Sequence, residues 1–244
     1  TAHAFGGLTH LTGMPGGPPL TPGSTSLADY ISGLYGTIGI LIALQTREKT
    51  GGQYIDLALY ESIFRVLDDM APSYAQNGTV RDRLGTETSN ACPHGHFQTS
   101  DGRWIAIACS SDKIFARFAE LMDRPELACK DSYGQVEKRL QNRDVINQIV
   151  EEWVKTHTSG EVLQRCAQGD VPCAPVQSIA DIFADEHFAA RENLISIDDA
   201  DIGECVVPNV IPRLSRTPGS VRHLGPVLGD ANEAIFAGML GLGT

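Results

Sequence analysis

The stretch Ser24–Gly36, S-T-S-L-A-D-Y-I-S-G-L-Y-G, places a single carboxylate, Asp29, where a turn gives way to a long apolar helical pattern. An aspartate at that point has two possible uses. It can serve as an N-cap, its oxygen accepting a hydrogen bond from a first-turn N–H. It can also be a nucleophile, because a helix N-terminus favours negative charge and the carboxylate is available at neutral pH to attack an acyl carbon. Glycines at 33, 36 and 39 recur every third residue along the helix and leave room for a ligand or another backbone to approach. Residue types alone leave both uses open.

Three other stretches compete for chemistry. C-P-H-G-H, Cys92–His96, sets three ligand-type residues at alternate positions. Pro93 and Gly95 imply a bend, however, and no second cluster supplies the fourth ligand of a structural zinc site, so the stretch reads as a loop entering a hairpin and no metal is expected. G-L-Y-G-T-I-G, Gly33–Gly39, lacks dinucleotide-binding spacing and lies inside a helix rather than between strand and helix. Cys173 stands between two prolines with no base at a readable spacing, which fits a small buried residue better than a nucleophile.

The bulk properties narrow the classes further. Thirty acidic against 19 basic residues give a net charge of −11, and no Lys/Arg cluster offsets it, which argues against a nucleic-acid partner. A local pocket of arginines and backbone N–H groups could still take a polyanionic cofactor. The six cysteines are scattered, as suits reduced thiols in a cytoplasmic protein. The longest uninterrupted apolar run, Ile38–Leu44, is too short for a membrane span, and no membrane association is expected. The chain opens Thr-Ala-His without an initiator methionine.

The elements that must position these residues follow from periodicity and punctuation. Residues 1–25, rich in Gly, Pro and Thr, read as a long loop. A helix over about 28–48 is apolar nearly all round, which predicts burial, and it stops at Lys49-Thr50-Gly51-Gly52. Gln53–Leu59 reads as a strand, 61–70 as a helix and 71–91 as a polar connector. A hairpin is predicted around Ser100-Asp101-Gly102, then helices near 112–122, 143–156 and 159–168, the last capped by Ser159 and closed by Gly169. D-V-P-C-A-P-V, Asp170–Val176, is extended, and 179–191 reads as one helix. Strand-like pieces broken by prolines follow over 194–214, with a final helix near 231–240. The fold class is α/β in two parts.

Several of these segments, taken in order, resemble one family. The run Leu11–Leu59, beginning L-T-G-M-P-G-G-P-P-L-T-P-G-S-T-S-L-A-D-Y, resembles class III (CaiB/BaiF-type) CoA-transferases. The hairpin H-G-H-F-Q-T-S-D-G-R-W-I-A-I-A, then D-R-P-E-L-A, D-V-P-C-A-P-V-Q-S-I-A-D-I-F and L-G-D-A-N-E-A-I-F extend the likeness over nearly the whole chain. The resemblance implies a Rossmann-like large domain, partial here, plus a small α+β domain, in an interlocked dimer. Residues 1–72 would be part of the large domain and 73–90 a linker. The small domain would be 91–190, with 191–244 returning to the large domain. The family's N-terminal portion, which forms most of the coenzyme A site, has no counterpart in these residues, so the coenzyme-binding residues stay unassigned.

By the same resemblance Asp29, in L-A-D-Y, is the catalytic nucleophile. It would carry coenzyme A from an acyl-CoA donor to a carboxylate acceptor through an aspartyl-CoA thioester, with no prosthetic group and in a cytoplasmic homodimer. T-H-L-T-G ahead of P-G-G-P-P resembles members that use succinyl-CoA and small dicarboxylates, and no glycine run resembles the mobile loop of formyl-CoA transferases. Two alternatives accompany this reading. 2-Methylacyl-CoA racemases share the fold and an L-A-D-F segment, but carry a Glu after the second hairpin strand where this chain has Ser111; their histidine would fall just before Thr1, and His3 and His10 are out of register with it. The other is a truncated, non-catalytic subunit.

Overall fold

The structure, a computed structural model, describes residues 1–242. Its contacts separate a unit of Thr1–Val176 from a second that begins at Gln177.

In the first unit, the segment read as a loop contains two single-turn helices, α1 (Ala2–Phe5) and α2 (Leu8–Leu11), joined through Gly7 at φ +95°. Four-residue helices are too short to show a periodic pattern, so composition concealed them. The long helix, α3 (Leu27–Thr50), ends as its glycines predict, with Gly51 at φ +75° and its N–H bonded to the Arg47 carbonyl. The predicted burial of α3 is not met within this chain. Ala28 and Ser32 are its buried residues, whereas Leu34, Leu41 and Ile42 are 66%, 59% and 58% exposed. The expectation of no membrane-length apolar segment also needs correction, because α3 is long and apolar enough to cross a membrane once its Gly, Ser, Thr and Tyr residues are counted with it.

Residues 53–58 are not a strand, since no neighbouring strand pairs with them. Helix α4 (Leu59–Arg65) then starts with the Glu61 carboxylate accepting from the Ala58 N–H at 2.8 Å. The polar connector contains a further helix, α5 (Met70–Asn77), which stops at Gly78 in the left-handed conformation. Arg81 pairs with Asp69 at its start.

The hairpin forms as read, with β1 (His94–Gln98) antiparallel to β2 (Trp104–Ala108), and β3 (Cys173–Pro175) antiparallel to β2 on the other side. Period-2 alternation turns Phe97, Ile105 and Ile107 inward, against α6 (Asp112–Leu121), α8 (Arg143–Val154) and α9 (Ser159–Gln168). Ile146, Val150 and Val154 recur every fourth residue of α8 and are buried with Phe115, Phe118 and Val162. Two short elements escaped the sequence reading, a 3₁₀ turn at Pro125–Ala128 and α7 (Val136–Gln141). The cap of α9 is Thr158 rather than Ser159, its hydroxyl accepting from Glu161 N–H while Glu161 accepts from Thr158 N–H. A threonine followed three residues later by glutamate is the reciprocal capping arrangement.

Arg139 of α7 is fully buried yet charged. Nε donates to the Cys92 carbonyl at 2.6 Å, Nη1 to the Tyr133 carbonyl at 2.9 Å, and Nη2 to the Asp112 carboxylate at 2.9 Å. Its guanidinium carbon lies 4.4 Å from the Phe115 ring centroid. One side chain thus ties the approach to β1, the loop before α7 and the start of α6.

In the second unit, the single helix predicted over 179–191 is two, α10 (Ile179–Ala184) and α11 (Glu186–Ala190). Asp185 separates them in an extended conformation and accepts from the N–H groups of His187 and Phe188. The strands β4 (Leu194–Asp199) and β5 (Gly203–Pro208) pair antiparallel, and a π-helix covers Glu233–Met239.

Two predictions follow from the first unit. Arg139→Ala leaves two carbonyls without their donor and should destabilise the unit by about 3 kcal/mol, measured by urea denaturation. Asp101 accepts from the Thr99 hydroxyl and from the Ser159 hydroxyl and N–H, tying the hairpin turn to α9. The Thr99 and Ser159 hydrogen bonds lower its pKa to about 2 from the ordinary 3.8. A lowered carboxylate pKa contributes stability above the ordinary value and loses it as pH falls through the folded one. The difference in melting temperature between wild type and Asp101→Ala should therefore be constant above about pH 4 and close towards pH 2.

Candidate active site

Helix α3 begins without help from its own cap residue. Ser26 occupies the N-cap position and its side chain makes no capping hydrogen bond, although its carbonyl accepts from the N–H groups of Asp29 and Tyr30. Asp29 is the third helical residue, not the cap, which corrects the capping half of the sequence reading. Its carboxylate is exposed in the first turn. That end of a helix presents unpaired N–H groups and a partial positive charge.

The missing cap is supplied from 25 residues upstream. Nε2 of His3 accepts a hydrogen bond from the Ala28 N–H at 3.0 Å. His3 reaches this position because α1 docks on α4. Phe5 packs edge-on against Tyr60, ring centroids 4.8 Å apart, and Gly6 lies buried against Ile63. A Cβ on Gly6 would sit 2.8 Å from Ile63 Cγ2 and 2.9 Å from the Tyr60 carbonyl oxygen, so only glycine permits this approach. Helix α3 is fixed to α4 by a buried hydrogen bond from the Ser32 hydroxyl to that of Ser62, 2.9 Å long.

The periodic glycines of α3 behave differently from the sequence expectation. A Cβ at Gly33 would meet nothing within 4 Å, and at Gly36 and Gly39 it would make ordinary contacts with Leu57 and Ile55. Close backbone approach at these positions is not used inside this chain. A cavity of about 520 Å³ opens between Tyr35, residues 55–57 and α4, and Asp29 lies outside it.

The competing motifs fall on other elements. His94 and His96 fall on β1, and the Cys92 carbonyl is taken by Arg139. Among the described residues no group of three or more His, Cys, Asp or Glu side chains is placed to hold a metal ion. Burial pushes the Cys92 and Cys109 thiols up to about 11 and 12, far from a reactive thiolate. Cys173 is half-buried and its thiol meets that of Cys166, a hydrogen bond that lowers the pKa of Cys173 and raises that of Cys166. Ser111, where a racemase would carry a glutamate, is the N-cap of α6 and accepts from the Ile114 N–H at 3.3 Å.

The sequence reading weighed His3 only against the histidine of racemases. Neither periodicity nor spacing connects it to Ala28, and only the docking of α1 on α4 brings the two together.

A family model described as CoA-transferase family III matches residues 1–232. This chain belongs to that family. It is 53% identical over 244 residues to the succinyl-CoA–L-malate CoA-transferase beta subunit of Chloroflexus aurantiacus, covering 99% of this chain and 60% of the relative. The alpha subunit of that enzyme is 54% identical over 240 residues, covering 98% of this chain and 53% of the relative. Among solved structures, a CAIB/BAIF family protein from Brucella suis is 31% identical with a TM-score of 0.76, over 98% of this chain and 61% of that one. The chain therefore spans between half and two thirds of the length of the relatives it matches. Family membership agrees with the mixed helix-and-strand architecture found here.

Within this CoA-transferase family chain, the seat of Asp29 depends on α1. Gly6→Ala should force α1 off α4 and destabilise the first unit by about 2 kcal/mol, measured by chemical denaturation. Gly33→Ala, in open space on an exposed helix, should instead be neutral or stabilising.

Proposed function

We propose that the protein of which this chain forms part transfers coenzyme A from succinyl-CoA to a small dicarboxylate of the L-malate class, with Asp29 as nucleophile. The near-equal identity, over almost the whole chain, to both subunits of a succinyl-CoA–L-malate CoA-transferase carries the choice of substrates. The geometry supports the residue, because Asp29 is an exposed carboxylate in the first turn of a helix whose start is held from two other elements.

In this reading the Asp29 carboxylate attacks the thioester carbonyl of the donor, expelling coenzyme A thiolate and leaving a mixed anhydride. The thiolate returns to the aspartyl carbonyl and releases the donor acid, which gives an aspartyl-CoA thioester. An acceptor carboxylate attacks that thioester, and the thiolate then attacks the acceptor side of the new anhydride, regenerating Asp29. Each step exchanges one acyl-oxygen for one acyl-sulfur bond or the reverse, so the barrier is divided among steps of comparable energy. Backbone N–H donors would stabilise the tetrahedral oxyanions.

The domain reading belongs to the same proposal. Residues 1–72 form part of the large domain, 73–90 a linker, 91–190 the small domain, and 191–244 the return to the large domain. That the buried cluster runs from Cys92 to Val171 supports the small domain's placement. The uncovered sides of α3 fit an interlocked dimer, in which the rest of the polypeptide and a second subunit cover them, in the cytoplasm rather than in a membrane. A homodimer and an assembly of two related subunits both accommodate the likeness to the two relatives.

The test uses the full-length protein incubated with succinyl-CoA and trapped with hydroxylamine or borohydride. Modification should map to Asp29. Asp29→Asn should lower transfer on the order of a thousandfold or more while preserving the fold. An unmodified protein that exchanges the α-proton of an acyl-CoA for deuterium would instead be a racemase.

A further inference from the structure

We propose that His3 is a positioning residue for the acyl-transfer site, acting as a neutral hydrogen-bond acceptor that sets the first turn of α3 and with it the Asp29 carboxylate. This inference rests on the assignment of Asp29 as nucleophile. Its physical basis is independent of that assignment.

A 24-residue helix exposes its first N–H groups, and a side chain at the N-cap usually takes one of them. Ser26 does not. The acceptor is Nε2 of His3, 3.0 Å from the Ala28 nitrogen. An imidazole nitrogen that accepts a hydrogen bond carries no proton, so His3 is neutral with its proton on Nδ1. Protonation of Nε2 would replace an acceptor by a donor and break the cap.

The arrangement has a consequence for chemistry. The imidazole satisfies the N–H of the residue just before Asp29, and Asp29 itself is left exposed. The imidazole is held in turn by α1, through the Phe5–Tyr60 contact and the approach of Gly6 to Ile63. The start of α3 is thus referenced to α4 at two points, His3 through α1 and Ser32 through Ser62. Attack on a thioester requires the carboxylate within a narrow range of positions, and small displacements of a reacting group cost rate rather than binding.

Two variants of the full-length enzyme separate this role from simple packing. His3→Gln keeps an acceptor, the amide oxygen, whereas His3→Leu fills the space without one. His3→Leu should lower kcat per trapped acyl-aspartate on the order of tenfold with KM for succinyl-CoA unchanged. His3→Gln should restore kcat to within about twofold of wild type, as an amide oxygen caps N–H groups much as the imidazole does. Hydrogen–deuterium exchange of the peptide spanning residues 26–30 should accelerate in His3→Leu and remain protected in His3→Gln. Wild-type kcat in His3→Leu, or equal loss in both variants, would overturn the positioning role. Full activity of Asp29→Asn would remove the nucleophile reading and the catalytic part of this one, while the exchange measurement would still report whether His3 holds the helix start.

Discussion

The N-terminus of α3 sets the terms for the rest of the site. A long helix beginning at an exposed position has N–H groups to satisfy, and the carboxylate nearest to them is the one proposed to do chemistry. If Asp29 capped its own helix, its carboxylate would be turned back onto the first turn, whereas the proposed chemistry needs it free to reach an acyl group. The chain resolves this conflict by importing an acceptor from another helix. The His3 contact needs α1 to sit tightly on α4, and Gly6 and the Phe5–Tyr60 pair provide that seat. The features around Asp29 thus form one chain of dependence, from a glycine through an aromatic pair and an imidazole to a helix start.

A second constraint comes from the length of α3. Its apolar residues surround the helix, yet inside this chain α4 and residues 53–58 touch only part of it. Apolar area of that extent is costly to leave in water, and most such surfaces are covered by another protein element. The buried cluster between Cys92 and Val171 presents the opposite case. It closes within the chain around Phe115, Phe118, Ile146 and Val150, and its buried charge, Arg139, is paired with Asp112 and hydrogen-bonded to two carbonyls. The two regions differ in packing, one closed within the chain and the other carrying a helix whose apolar sides stay exposed in it.

Much of this was legible in the residues. Hairpin, α6, α8 and α9 follow from alternation, four-residue spacing and turn chemistry at Ser100-Asp101-Gly102, because each closes its hydrogen bonds locally. The failures have physical causes. Helices α1, α2 and α7 are too short to display a period, and 53–58 has strand-like alternation without a neighbouring strand to pair with. The burial of α3 was inferred from its composition, but composition says that a helix needs cover and not which residues provide it. Asp29 is proposed through its likeness to the family's L-A-D-Y segment, whereas the contact of His3 with Ala28 was not legible because it spans 25 residues and depends on how two other helices dock. Local rules place elements, and the site depends on their assembly.

Isotope transfer reads out whether Asp29 bonds covalently to the acyl groups being exchanged. The full-length enzyme would be turned over with succinyl-CoA and an acceptor whose carboxylate carries ¹⁸O, then digested and the peptide containing Asp29 weighed. Passage through the mixed anhydride leaves one acceptor oxygen on the aspartate, so Asp29 should carry ¹⁸O after a single forward turnover. Product formation with no heavy oxygen in that peptide would contradict it.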